Sequence, residues 1–318
     1  MGLSALLSLP AAAAQRECTY QVQTALQYGT GTLEGGLQLP LLLDAYLPVA
    51  CADGPPGAVP PVVLIPGGGF NWVQRDRPRI VEIADGLARA GFAVFSIEHR
   101  VREQQGLVPV SETLDTPQEV TAFKRRIRHS PYPGDQHFQA LVAMEDGLKA
   151  VAWVRDRAQV FGLDAQHLGL LGGSSGACTV LGMAYSADEM LMSPLTGAQA
   201  VVDMWGDFYP HTDLKSGNAP VLVLAGTEDP VIPYEQTTDL VQRARRVGVE
   251  ASRITMPGVK HGLDDADIFH REIVGTDITV FEAIVQFLEA RLRPQGGQVW
   301  PPTGQRREMT ADEPPPTP

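Results

Sequence analysis

His167-Leu168-Gly169-Leu170-Leu171-Gly172-Gly173-Ser174-Ser175-Gly176-Ala177-Cys178 is the stretch whose reading decides the fold. Leu168, Leu170 and Leu171 form a short apolar run that reads as a buried strand. The run meets Gly172 to Gly176, a match to G-x-S-x-G. Ala177 to Tyr185 follows, small and apolar enough to be a packed helix. A serine on a sharp strand-to-helix turn has its hydroxyl pushed out above the sheet, on a strained backbone. Glycines at 172 and 176 suit such a turn, because a Cβ there would strike the neighbouring chain. The helix aims unpaired N–H groups and the positive end of its dipole at the space above the serine, where an oxyanion forms. A Gly-rich turn without chemistry has the same five-residue pattern. The strand before it and the helix after it give this match its weight.

Upstream, residues 19–50 alternate and turn, which predicts antiparallel strands leading into a sheet. Pro61 to Ile65 is an apolar run of the buried-strand kind, and it opens into Pro66-Gly67-Gly68-Gly69-Phe70-Asn71-Trp72. Three glycines after a central strand let backbone N–H groups approach a ligand closely. Phe70 and Trp72 are large apolar groups that a plain linker has no use for, so they are candidate substrate-pocket residues. Ile80, Ile83, Ala84 and Leu87 have helical spacing and stop at Gly91, and Phe92 to Ile97 is the next strand. The proline-interrupted segment 99–136 is long enough to serve as a lid. Helical periodicity then runs through Leu141, Met144, Leu148, Val151 and Val154.

Downstream come strands at 200–204, 219–225 and 251–256, a helix at 237–247 and a final amphipathic helix through Phe281, Ile284, Leu288 and Leu292. Strands alternating with helices predict an α/β fold: a mostly parallel central sheet with helices on both faces. In such sheets ligands bind at the carboxyl ends of the strands, where Gly67 to Phe70, Ser174 and Asp229 all fall.

A serine hydroxyl needs a base to become a nucleophile, and the base needs a carboxylate to orient it. Gly226-Thr227-Glu228-Asp229-Pro230 follows one core strand, and Lys260-His261-Gly262 follows the last. Of seven histidines, only His270, just before the final helix, rivals His261. Glu228 rivals Asp229, but the short Asp side chain before Pro230 has less freedom. The candidate catalytic set is Ser174, Asp229 and His261.

Composition excludes several classes. The formal charge of −12 disfavours nucleic acid and anionic membranes, which reward basic patches. No apolar run is long enough for a transmembrane helix. Residues 1–17 read as a signal-like or disordered leader, because an apolar stretch ends in alanines, although it lacks a basic start. That leader points to a secreted or periplasmic protein, with a cytoplasmic one as the alternative. Cys18 and Cys51 flank the first strands and can pair, or all three cysteines can be thiols. Residues 294–318, rich in Pro, Gly, Gln and charge, read as a disordered tail. The catalytic domain is therefore expected at 18–293.

With these residues in place the chain resembles the α/β-hydrolase superfamily. It is similar to serine esterases near the bacterial hormone-sensitive-lipase-like carboxylesterases and the feruloyl- and acetyl-esterase-like group. The matching stretches are Leu43 to Pro48, Pro66 to Phe70, Gly162-Leu163-Asp164, Gly172 to Gly176, Gly226 to Pro233 and His261-Gly262, in the family's order over about residues 40–290. The resemblance implies Ser174 as nucleophile, Asp229 as acid and His261 as base. It also implies an oxyanion hole of backbone N–H groups at Gly68, Gly69 and Ser175. Two departures stand out: Pro66 where many relatives carry His, and Ser175 where Ala or Gly is usual. The stretch between Ser174 and Asp229 leaves little room for a large cap insertion. The function implied is hydrolysis of short- to medium-acyl or aryl esters through an acyl-enzyme, on small-molecule or polymer-attached substrates, with no cofactor and no metal. An amide, peptide or formamide hydrolase, an acyltransferase and a non-catalytic binding protein are the alternatives.

Overall fold

The computed structural model describes residues 17–52, 57–114, 116, 118, 119, 121, 122, 134–191, 194–207, 213–293, 300, 301 and 307–311. Most of the leader, and residues 115, 117, 120 and 123–133 of the stretch expected as a lid, lie outside the described residues.

β1 (Cys18–Thr32) and β2 (Gln38–Cys51) form a long antiparallel hairpin. β2 also runs antiparallel to β4 (Ala93–Ile97), which lies parallel to β3 (Pro61–Ile65). β5 (Gly169–Gly173), β6 (Ala200–Met204), β7 (Val221–Gly226) and β8 (Ala251–Met256) continue the parallel run. A short β9 (Glu308–Thr310) closes it, giving the order β1-β2-β4-β3-β5-β6-β7-β8-β9.

Successive residues of a strand face opposite sides of a sheet, and here both sides are covered. Val63 and Ile65 of β3 join one apolar layer with Leu141 of α2 (Gly134–Asp156), Val180 of α3 (Ser175–Tyr185) and Leu240 of α4 (Tyr234–Arg246). Val62 and Leu64 join the other layer with Ile83 and Leu87 of α1 (Pro78–Arg89) and Ile284 and Leu288 of α5 (Val280–Leu292). These strands are apolar on both faces because neither face meets water. Truncating a side chain such as Leu64, which has no exposed surface, costs about 2–5 kcal/mol. α1 opens on Pro78, whose missing N–H is no loss in a first turn. α5 opens on a capping box between Thr279 and Glu282.

Two features tie the hairpin end of the sheet. Cys18 and Cys51 are paired partners in the β1–β2 ladder and are joined by a disulfide. Arg100, fully buried, bonds Asp146 at 2.8 Å and Glu145 at 3.1 Å and accounts for the position of α2 against the loop after β4. Three charges share one desolvated pocket there, so removing one partner would strand the others.

The tail expected at 294–318 lies outside the described residues except at 300, 301 and 307–311. A disordered tail does not describe Trp300 or Glu308–Thr310. Trp300 is buried, packs edge-on against Phe287 at 5.4 Å and donates its Nε1–H to Ser252 Oγ at 3.0 Å. Glu308 to Thr310 pair in parallel with Arg253 to Thr255. One aromatic anchor and a three-residue strand make no periodic pattern, so a sequence window dominated by Pro and Gly hides them. At the other end of the sheet β1 starts at Cys18, and the Ala52 N–H donates to the Glu17 carbonyl at 2.9 Å. Among the described residues no helix is long and apolar enough to cross a membrane.

Candidate active site

The nucleophile candidate sits where the sequence places it. β5 ends at Gly173, α3 begins at Ser175, and Ser174 between them takes φ 52° and ψ −122°. A side chain at positive φ is strained, and the surrounding packing must hold it there. That packing is visible at two glycines. A Cβ on Gly172 would lie 2.3 Å from the Gly176 carbonyl oxygen, and a Cβ on Gly176 would lie 2.0 Å from the Ile65 carbonyl oxygen. The backbones of β3, β5 and α3 therefore approach more closely than any larger residue allows. The Ser174 N–H is spent on the Met204 carbonyl at 2.9 Å, which fixes the turn from the β6 side.

Ser174 Oγ lies 2.7 Å from His261 Nε2, and His261 Nδ1 lies 2.7 Å from Asp229 Oδ2. Asp229 Oδ1 in turn accepts the N–H groups of Val231 at 2.8 Å and Ile232 at 2.9 Å. Burial pushes the Asp229 carboxyl up, but the His261 bond and these two backbone donors outweigh it and hold the group below the ordinary Asp range. An ionised Asp229 makes Nδ1 the protonated nitrogen and leaves Nε2 as an acceptor aimed at the serine. Glu228 is exposed, and His270 is an exposed histidine bonded to Asp267 at 2.9 Å. Neither rival takes part in the chain of bonds from Ser174.

The glycine loop lies against the elbow. Phe70 holds φ 61°, is buried and tilts against the His99 ring at 6.4 Å. One expected donor is already engaged: the Gly68 N–H points to Ser175 Oγ at 3.0 Å. Three backbone donors at Gly68, Gly69 and Ser175 therefore do not all await a ligand. The reason is the serine that follows Ser174, whose hydroxyl places an acceptor under the loop that an alanine lacks. The Ser175 N–H opens α3 and has no acceptor within its own helix.

Two hollows meet at Ser174. The smaller, about 120 Å³, is walled by Phe70, Ala140, Met144, Ser175, Cys178 and Ile232. A cavity of roughly 150 Å³ holds a benzene ring, so this one accommodates a short chain or a small ring. The larger, about 410 Å³, is bordered by Trp72, Arg77, Trp205, His261 and Asp264. Arg77 stands over the Trp72 ring at 5.6 Å and bonds Asp264 at 2.7 Å. Phe70 and Trp72, expected on one pocket, thus belong to different hollows. Sequence reading missed the α2 wall, Cys178 and Trp205. The helical period locates α2 but does not say which turn faces the serine. Cys178 is a neutral thiol here, pushed up to about 12 by burial.

A model of the prolyl oligopeptidase family matches residues 202–274, the stretch that holds Asp229 and His261. Esterase LipQ of Mycobacterium tuberculosis is 22% identical, over 89% of this chain and 67% of its own. A truncated carbohydrate esterase from gut microbiota superposes with a TM-score of 0.58 at 19% identity, over 88% of this chain and 99% of that one. Thermogutta terrifontis esterase 2 phosphorylated by paraoxon superposes with a TM-score of 0.57 at 17% identity, covering 88% and 95%. The same esterase with butyrate bound gives 0.57 at 16% identity, covering 89% and 96%. A mostly parallel sheet of this strand order, carrying a serine on the turn after β5, has the α/β-hydrolase fold.

Proposed function

We propose that the chain is a serine carboxylic-ester hydrolase, with Ser174 as nucleophile, His261 as base and Asp229 as acid. One observation carries this reading: the unbroken run of 2.7 Å bonds from Ser174 Oγ through His261 to Asp229, at the meeting point of two hollows. Ser174 Oγ attacks the ester carbonyl carbon while His261 Nε2 takes its proton. The carbonyl oxygen becomes an oxyanion, held by the Ser175 and Gly69 N–H groups. Collapse expels the alcohol, which receives the proton from Nε2 and leaves an acyl group on Ser174. Water, deprotonated by His261, then releases the acid. Asp229 stabilises the imidazolium that appears in both halves.

The hollows divide the substrate. The leaving oxygen must reach His261 Nε2, and His261 borders only the larger hollow among the two. The alcohol therefore occupies the wide side, which has room for an aryl or polymer-attached group, and the acyl chain occupies the 120 Å³ side. The likeness to Thermogutta terrifontis esterase 2, with butyrate bound in one structure and phosphorylated by paraoxon in another, supports a short acyl group and reactivity toward organophosphates. The Cys18–Cys51 disulfide supports an oxidising compartment such as the periplasm or the exterior.

The test combines a fluorophosphonate probe with p-nitrophenyl esters from acetyl to palmitoyl. Wild type is expected to be labelled and Ser174→Ala not, with kcat of the variant down about 10³-fold or more. Esters of about two to six acyl carbons should exceed palmitoyl by about tenfold in kcat/KM, a difference of about 1.4 kcal/mol. Labelling that survives in Ser174→Ala sinks the assignment. The prolyl oligopeptidase match keeps a second reading, amide hydrolysis, because its stretch holds the acid and base that serve either bond. A prolyl p-nitroanilide cleaved faster than every ester would favour it.

A further inference from the structure

The residue after the nucleophile carries a hydroxyl with an unusual set of partners. Ser175 is buried and borders the smaller hollow beside Ser174. Its Oγ accepts the Gly68 N–H at 3.0 Å. A hydroxyl has one hydrogen to give besides the lone pairs it offers. Among the described residues the Ser175 hydroxyl hydrogen has no acceptor, while its backbone carbonyl is taken by Thr179 Oγ1 at 2.8 Å. A buried donor with no partner carries a desolvation cost unless something fills it. What lies beside it is the cavity where an acyl group would sit.

We infer that the Ser175 side chain is itself an oxyanion donor, taking the hydrogen bond of Gly68 and offering its own O–H in place of that N–H. The inference rests on the ester-hydrolase reading of Ser174. Backbone N–H and side-chain O–H of one residue then grip the same oxygen, with Gly69 as the third donor. The arrangement has a physical advantage over a bare Gly68 N–H. A hydroxyl that accepts a hydrogen bond is polarised into a better donor, and the Gly68 peptide supplies that polarisation. It also explains how a Gly68 N–H turned to Ser175 is compatible with catalysis. The hydroxyl is pinned by the loop, so it needs no reorganisation when charge develops on the carbonyl oxygen.

The experiment compares Ser175→Ala and Ser175→Thr with wild type. Its readouts are kcat and KM on p-nitrophenyl butyrate, fluorophosphonate labelling, melting temperature, and inhibition by an alkyl trifluoromethyl ketone, which adds to the serine and presents an oxyanion. Ser175→Ala is expected to melt near wild type and lose about 10²-fold in kcat, the scale of one oxyanion donor. Its KM should stay within about threefold, and its inhibition constant for the ketone should rise in parallel with the loss in kcat. Ser175→Thr, which keeps the hydroxyl, should recover most of both. If the Thr variant fails to fold, the parallel between kcat and ketone inhibition in Ser175→Ala still decides. Undiminished kcat in Ser175→Ala would overturn the inference, since the released Gly68 N–H then serves the oxyanion alone. A loss of kcat with unchanged ketone inhibition would overturn it too, leaving the hydroxyl as a latch on the loop. A wild type that is neither labelled nor active on any ester removes the ester-hydrolase reading itself, whatever position 175 does.

Discussion

Asp203 and Asp229 stand at the carboxyl ends of neighbouring strands, one at the end of β6 and one in the loop after β7, and their surroundings drive them in opposite directions. Asp203 is fully buried; its Oδ1 accepts the Gly206 N–H at 2.7 Å, and its Oδ2 has no hydrogen-bond partner among the described residues. Burial pushes its carboxyl up to about 8, the one backbone donor offsets that only in part, and the negative charge of Asp207 adds to the rise. Asp229 is also buried, yet three hydrogen bonds reach its two oxygens and it stays below the ordinary Asp range. The same side chain at the ends of adjacent strands is thus pushed toward the neutral acid in one place and toward the anion in the other. Desolvation acts on both; the number of donors decides between them. The one held toward the anion is bonded to His261, where the proposed mechanism develops an imidazolium.

Removing the charge from each carboxylate breaks the comparison most directly. Asp229→Asn keeps the shape but offers His261 the wrong partner, so kcat should fall on the order of 10³-fold with KM little changed. A fall of less than tenfold would mean that Asp229 only shapes the loop. The same variant should lose part of the acid-side dependence of stability. A carboxyl held below its unfolded value stabilises the fold above about pH 4 and loses that contribution as pH falls through the folded value.

Asp203→Asn should act on stability against pH rather than on chemistry. Below about pH 4 Asp203 carries a proton in both the folded and the unfolded chain. Between there and about pH 8 the unfolded chain releases the proton and the folded chain keeps it, so wild-type stability falls as pH rises through that window. Melting temperatures of Asp203→Asn should therefore gain on wild type from about pH 4 to 8, with kcat within about threefold. A parallel pair of melting curves across that range would show that Asp203 is ionised after all. Glu228→Gln should do least, with kcat within about threefold of wild type and an unchanged melting temperature, because Glu228 is exposed and His261 bonds its neighbour. A crippled Glu228→Gln would reassign the acid.

Much of this was legible in residue order alone. Leu168 to Gly176 announces a strand, a tight turn and a helix because glycine spacing and apolar runs act over a few residues. The positions of Ser174, Asp229 and His261 after three core strands follow from the same local signals, since the carboxyl ends of parallel strands lie along one edge of the sheet. Alternating elements predict both the sheet and its two helical layers, and the structure has both. The preference for Asp229 over Glu228 came from side-chain length before a proline, and His261 bonds Asp229.

What only the tertiary structure decided depends on contacts between segments far apart in the chain. Gly68 and Ser175 meet across more than a hundred residues, so no local pattern says that the hydroxyl takes the loop's N–H. Phe70 and Trp72 are two positions apart yet fall into different hollows, because Phe70 takes a left-handed backbone that turns the chain between them. Trp300 and β9 complete the sheet through one aromatic contact and three backbone pairings, neither of which leaves a period in the sequence. The opposite shifts of Asp203 and Asp229 belong to the same class. Residue type sets where a carboxyl titrates in water; the donors that folding brings to it set where it titrates in the protein.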